Sequence, residues 1–290
     1  MNLDISSGSK LEWLNSEDIR PYVFVREDMR VKNPGTLIDL NWFPHKPLWF
    51  NPLHMDEVSY ANQILNMEKR AFSESGMAMP RWVFYDCAIM PGFVAGFAHK
   101  TKTLPLEMQV ALGGKSDRQW TPISLFIIIP TMNEGEWFAH NLSSINTLLS
   151  KESRFYGLGF LTKCFGLWYA NIETCCGATQ WTSPALKLHS QFGAFEVLTA
   201  YTPAHDYAHT LTYRLKVDPV YWEGFFAKRP MGDFSKLYVE AGFSVNPYKE
   251  DSLISLQRKI EKHEGPFFLS PYELRDKPPG EVLKVYKAKA

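Results

Sequence analysis

The 290-residue chain holds only four cysteines, Cys87, Cys164, Cys175 and Cys176, and no Cys-x-x-Cys pair. A disulfide scaffold or a cysteine-based zinc site is therefore not expected. Neither sign of charge is in excess, since 31 Lys plus Arg balance 31 Asp plus Glu, and no Lys/Arg run exceeds two residues. Nucleic acid as a main partner is not expected either, because non-specific binding to it draws on a positive field. Long apolar runs are also missing. The longest is 125–129, far short of a bilayer span, and the first ten residues hold no apolar stretch of signal-peptide kind. The chain reads as cytoplasmic and without a membrane span. What is present is core-forming matter, 45% apolar residues with 14% aromatics, enough for one large domain or two small ones.

Three regions follow from the pattern. Residues 1–55 interleave Pro34, Pro44, Pro47 and Pro52 with Trp42, Phe43, Trp49 and Phe50. Polar disorder does not use Trp and Phe in this way. The expectation is an ordered covering segment, with a flap over a cleft as the alternative and a short strand at 22–26. Residues 56–217 form the main domain. Its first helix is expected after Asp56, with Val58, Ala61, Leu65 and Phe72 on its buried face and Glu57, Asn62 and Glu68 pointing elsewhere. A hairpin is expected across 82–99, turning at Pro91-Gly92. Strands are expected at 107–112, 122–129 and 136–141, and helical turns at 142–150. Residues 218–290 carry one good helix at 251–262 and are expected to dock on the main domain as an appendage.

The clearest pattern lies in 154–217. Arg154-Phe155-Tyr156-Gly157-Leu158-Gly159 precedes a helix whose stripe is Leu161, Cys164, Phe165 and Trp168. Two glycines at i and i+2 let the backbone curl so that several N–H groups face one hollow. With the positive end of the helix, they suit a phosphate or pyrophosphate without a metal. The turn is not the dinucleotide fingerprint, because Thr162 stands where a third glycine is required, and no Gly-Lys-Ser/Thr of a P-loop follows. A strand at 172–180 comes next, then Ser183-Pro184 opening a helix with Ala185, Leu188 and Phe192 on its face, a stop at Gly193, and strands at 195–201 and 209–217.

This order resembles the GCN5-related N-acetyltransferase superfamily. That family's pyrophosphate turn has the form Gln/Arg-x-x-Gly-x-Gly/Ala, which Arg154, Gly157 and Gly159 meet. A second signature is met in part by Ala185, Leu188 and Gly193, with Thr182 in the usual Asn place, His189 in the Tyr place and Ala194 in the Phe place. The resemblance covers about 56–217, its motifs only 154–217. It implies an α/β (α+β) fold, a mixed and mostly antiparallel sheet flanked by helices, with N- and C-terminal extensions. It implies an enzyme that moves an acetyl or larger acyl group from acetyl-CoA or another acyl-CoA to a small-molecule or protein amine, by direct transfer and without a metal. Backbone N–H groups of Arg154, Phe155, Tyr156, Gly157, Leu158 and Gly159 would hold the pyrophosphate. The strand beside the pantetheine is left open between 122–129 and 136–141.

Such transfer needs a base for the amine, stabilisation of the oxyanion and an acid for the leaving thiolate. Glu134 and Glu136, in the turn after the aliphatic strand, are base candidates, as is His140 in an apolar strand. The resemblance places His189 where a tyrosine commonly protonates the thiolate, with Tyr156 and Tyr201 as substitutes. Glu173 is a weaker candidate for an acceptor ammonium. Cys175-Cys176 as a nucleophile, and His205, Asp206 and His209 as a metal group, are both disfavoured: adjacent strand residues point oppositely, and Pro203 favours a hairpin loop. Rival readings are a non-catalytic acyl-CoA- or nucleotide-binding module and an interaction protein using its aromatic N-terminal segment.

Overall fold

A computed structural model describes residues 4–31, 44–73, 78–114, 116–218, 221 and 233–289. Pro34, Trp42 and Phe43 lie outside the described residues. The chain divides into two compact units, 1–172 and 173–290. Among the described residues no helix is long and apolar enough to cross a membrane.

The first unit is built from β1 (Ile19–Phe24), β2 (Leu48–Phe50), α1 (Val58–Phe72), β3 (Phe93–Lys100), α2 (Leu106–Ala111), β4 (Trp120–Pro122), β5 (Ser124–Pro130), β6 (Glu136–Ser144) and α3 (Leu158–Tyr169). Its strands lie in the order β6-β5-β3-β1-β2, with β4 also paired to β3, and every pairing is antiparallel except β1 with β2. The N-terminal segment thus does more than cover the domain, because β1 joins the sheet beside β3.

Alternation decides which helix covers which face. Tyr22 sits opposite Gly96 in the register, so Phe93, Ala95 and Phe97 point to the other side. On the Tyr22 face, Tyr60 of α1 stacks on Phe50 with ring centroids 4.0 Å apart and meets Tyr22 edge-on at 5.4 Å. On the opposite face α3 packs Phe165 toward Phe97 and Tyr169 against Phe93. Nearly every residue of α3 is buried, as expected of a helix apolar all round. It lies so close to β5 that a Cβ on Gly166 would come within 2.6 Å of Phe126 and 2.7 Å of Ile128. Thr162 reaches the sheet through its hydroxyl, 2.7 Å from that of Ser124, whose oxygen also accepts the Phe97 N–H at 2.9 Å.

Four sequence expectations need correction. Residues 82–89 are not a strand. Val83–Ile89 is a wide, π-type helical stretch with Phe84, Ala88 and Ile89 buried, and the Met90 N–H reaches back five residues to the Tyr85 carbonyl. A short apolar run does not distinguish strand from buried helix. Gly92 matters there for space, since a Cβ would lie 2.1 Å from the Ile128 carbonyl oxygen. Residues 107–111 are not a strand but part of the helix α2, with Met108 inward and Leu106 and Val110 outward. On α1 the buried face is Tyr60, Ala61, Ile64, Met67 and Glu68, while Val58 is exposed. The stretch 142–150 is shorter in helix than expected: β6 runs to Ser144 before a single 3-10 turn, Ile145–Thr147.

The second unit holds β7 (Thr174–Gln180), α4 (Pro184–His189), β8 (Phe195–Thr199), β9 (Thr210–Lys216), α5 (Phe234–Leu237), β10 (Tyr238–Val245), α6 (Glu250–Glu261), β11 (Phe268–Leu269), α7 (Pro271–Asp276) and β12 (Leu283–Ala288). The strands lie in the order β10-β12-β11-β8-β9-β7, all antiparallel. Ser183 caps α4, accepting the Ala185 N–H at 3.2 Å, and Pro184 fills its first position. The segment after 233 is stitched to the preceding strands through β11, with Phe268 opposite Glu196 and Leu269 opposite Phe195. Its buried residues Val245, Leu253, Leu256, Leu269, Leu283 and Val285 give it a shared core with them.

The close approach at Gly166 generates a stability prediction. Gly166→Leu forces side chains of α3 and β5 apart and is expected to lower unfolding free energy by about 1–3 kcal/mol, the usual range for overpacking. Urea denaturation followed by tryptophan fluorescence measures it. A midpoint unchanged from the wild type removes the tight contact from the account.

Candidate active site

The residues before α3 form a braced turn. Gly157 has φ 73° and ψ 5°, left-handed geometry that favours glycine, and stands at the N-terminal boundary of α3. Asn146 clamps the turn from the side: its Oδ1 accepts the Phe155 N–H at 3.0 Å and its Nδ2 donates to the Phe155 carbonyl at 2.7 Å. Arg154 donates from Nε to the Leu149 carbonyl at 3.1 Å, so its side chain shapes the approach to the turn. The Trp13 indole N–H donates to the Tyr156 carbonyl at 3.1 Å, and its ring meets Phe155 edge-on. Lys10 carries its ammonium 5.1 Å from the Tyr156 ring centroid.

These bonds sort the expected phosphate donors. The Phe155 N–H is committed to Asn146, and the Leu158 N–H to the Phe155 carbonyl at 3.3 Å. The first regular bond of α3 runs from Leu161 to the Gly157 carbonyl. Among the described residues the N–H groups of Gly157 and Gly159 donate to no backbone acceptor. A helix leaves its first N–H groups without partners inside the helix, and its positive end favours an anion there. The cradle is therefore narrower than six residues, and Lys10 is a nearby cation that motif reading missed.

The base candidates separate clearly. Glu134 is exposed in the loop. Glu136 closes that loop, its Oε1 accepting from Asn133 Nδ2 at 2.9 Å and from the Thr131 hydroxyl at 3.1 Å. His140 occupies a different setting. Ile127 pairs with Asn141 and Ile128 with Ala139, so His140 is the extra residue of a β-bulge in β6. Its Nδ1 lies 3.0 Å from Asn141 Oδ1, and burial lowers its pKa below the ordinary histidine value, with the Asn141 contact opposing in part. Asn141 Nδ2 donates at 2.7 Å to Glu68 Oε1. Glu68 is only 1% exposed, and its two carboxylate oxygens lie 3.0 and 3.1 Å from the Met79 N–H that they accept. Burial raises its pKa, and the hydrogen bonds from Met79 and Asn141 offset only part of that rise.

Sequence reading had placed Glu68 away from the buried face of α1. The missed signal is the spacing of Tyr60, Ile64, Met67 and Glu68, which puts a carboxylate on a core position.

The remaining candidates lie in the second unit. His189 was expected one position off the apolar stripe of α4. Instead Leu186 and His189 are the buried residues of that helix, and the His189 ring lies 5.8 Å from that of Tyr213. Cys175 and Cys176 are both buried, and Tyr201 donates its hydroxyl to Glu250 at 2.8 Å. His205 accepts the Tyr207 N–H on Nδ1, the bond of a local turn.

Glu68 supplies a pH prediction. Between the ordinary carboxylate value of 4.5 and its raised value, Glu68 binds its proton more tightly in the folded state than in the unfolded chain. Stability from this group is full at low pH and is lost as pH rises through that window. Glu68→Gln does not titrate. Denaturation midpoints taken from about pH 4 to about pH 8 are expected to move in the variant's favour as pH rises. A difference that stays constant across the range contradicts the buried carboxylate.

No protein-family model matches the chain, and no curated protein matches it. Solved structures do. One is the NatC complex bound to Gag peptide and CoA, 12% identical, with 57% of this chain and 96% of that chain covered at a TM-score of 0.38. Another is the ribosomal-protein-S18-alanine N-acetyltransferase from Escherichia coli, 12% identical, with 56% and 90% covered at a TM-score of 0.37. A third is an acetyltransferase of the GNAT family from Listeria monocytogenes, 12% identical, with 57% and 91% covered at a TM-score of 0.33. At this identity and these TM-scores the likenesses assign neither chemistry nor substrate to the chain.

Proposed function

We propose that this protein is an acyl-CoA-dependent N-acyltransferase that transfers an acyl group directly to an amine. The observation that carries the reading is the left-handed Gly157 turn at the N-terminus of α3, clamped by Asn146, which follows the bulged strand β6. The residues present fit the pyrophosphate of coenzyme A. Gly157 and Gly159 offer N–H groups and no side chain to block approach, and Lys10 and Arg154 add positive charge near the turn. The bulge favours β6 over β5 as the strand beside the pantetheine.

The bound thioester supplies the activated acyl group. The chain's own contribution begins with the turn, which binds anionic charge without side-chain rearrangement. His140 then serves as the base. Its neutral ring in the bulge, which a lowered pKa permits at neutral pH, takes a proton from the acceptor's nitrogen as the N–C bond forms and the C–S bond breaks, and coenzyme A leaves as its thiol with a proton from solvent. Glu136 is tied to Asn133 and Thr131 and is the weaker choice for that role.

Two variants test the reading. Gly159→Glu puts a carboxylate on the first turn of α3, where it suits the helix dipole but repels a phosphate. The expected result is a folded protein whose Kd for CoA, by titration calorimetry, rises about tenfold or more, the equivalent of roughly 1.4 kcal/mol. His140→Gln is expected to keep CoA affinity while thiol release from acetyl-CoA, with a panel of amines, slows about 100-fold. Unchanged CoA affinity in Gly159→Glu refutes the turn assignment. A wild-type protein that binds CoA and acylates no amine leaves the non-catalytic binding module in its place.

A further inference from the structure

The bulge residue is held by a chain of groups that no acyl-CoA contact requires. From the helix side, Glu68 Oε1 accepts from Asn141 Nδ2 at 2.7 Å, and both carboxylate oxygens lie within 3.1 Å of the Met79 N–H. From the strand side, Asn141 Oδ1 lies 3.0 Å from His140 Nδ1. The orientation of the Asn141 amide, with Nδ2 on Glu68, assigns the roles of these atoms. Oε1 accepts when the carboxyl group is ionised, and equally when it carries its proton on the other oxygen. The amide group of Asn141 must then turn its NH2 toward Glu68, and its carbonyl oxygen faces His140. An amide oxygen only accepts, so His140 Nδ1 is the donor and carries the ring proton. The lone pair of the neutral ring is left on Nε2.

We propose that Asn141 and Glu68 are positioning residues that lock neutral His140 in its Nδ1–H tautomer, so that Nε2 is always the basic atom of the proposed acyl transfer. The role as a base rests on the acyltransferase reading; the tautomer lock does not. The device has a physical rationale. A histidine in an unconstrained strand exchanges between two tautomers, and only one presents a lone pair on a given side. The bulge fixes where the ring sits, and the amide fixes which nitrogen is basic. Two further facts agree with it. Glu68 is buried on a helix that otherwise presents Tyr60, Ile64 and Met67 to the core. Burial also keeps His140 neutral, the state in which a tautomer is defined.

The experiment uses the full chain with nitrogen-15 in its histidines and reads the ring nitrogens by two-bond proton–nitrogen correlation. The eight histidines are sorted by the signals that vanish in His140→Gln. The wild type is expected to show a protonated Nδ1 and an unprotonated Nε2 at His140. Asn141→Leu removes the acceptor, and Glu68→Leu removes the group that orients it; both are expected to move the ring to a mixture dominated by Nε2–H. Glu68→Gln keeps an oxygen for Asn141 and is expected to retain the wild-type signature, a rescue that packing alone does not explain. In the transfer assay, Asn141→Leu is expected to slow kcat by about tenfold at unchanged CoA affinity, part of the roughly 100-fold a positioned base contributes. An Nε2–H signature in the wild type overturns the lock. So does a signature unmoved in Asn141→Leu, a half-buried position whose variant tests the lock even where Glu68→Leu does not fold. A protein with the expected signatures but no acyl transfer keeps the lock and loses the acyltransferase reading.

Discussion

The first unit depends on how closely α3 lies against the sheet. Gly166 lets the helix settle onto Phe126 and Ile128, and Thr162 meets Ser124 through paired hydroxyls. Interiors packed at that density do not deform continuously. With α3 fixed, the direction of its first N–H groups is fixed as well. The turn before it inherits that rigidity, and bonds through Asn146, Arg154 and Trp13 tie the turn to the 146–149 segment and to the N-terminal segment.

Preorganisation of this kind separates the two halves of the proposed site from the other titratable groups nearby. The turn offers backbone N–H groups held by neighbours, and His140 is held by an amide that is itself held. Groups arranged before a substrate arrives need no reorganisation during the reaction. Glu134 lacks such support, and the bonds of Glu136 serve its loop. Their place in the turn after the aliphatic strand made both candidate bases; the proposed base in the bulge has the more fixed surroundings.

The readable features were local. Arg154, Gly157 and Gly159 announce a turn before a helix, and Ser183-Pro184 announces a helix start, because neighbouring residues alone set those conformations. Features that depend on pairing were not readable. His140 lies in a strand that was expected, but its bulge exists only in the register of β6 against β5. Glu68 looked solvated because the face of α1 was phased on Val58 and Leu65, when Tyr60 and Ile64 face the core. Residues 82–89 misled for another reason. Their apolar content suits either a strand or a helix, and the close approach of Gly92 to the Ile128 and Ala88 carbonyls depends on contacts distant in sequence.

The strand order of the second unit carries a consequence for how a ribosome delivers it. β12, the last strand in sequence order, lies between β10 and β11. Among the described residues, until those of β12 leave the exit tunnel, β10 has no strand in this sheet to bond with, and β11 has only β8. The first unit has all its strands by residue 144 and its covering helix by residue 169. Chains emerge from the N-terminal end at a few residues per second, and domains generally fold as units in that order. The nascent chain therefore carries a first unit with all its described strands and α3 made, ahead of a second one still missing β12. Between the emergence of β10 and that of β12, the exposed edge of β10 is a surface for a chaperone, or for the same edge on a neighbouring chain of a polysome.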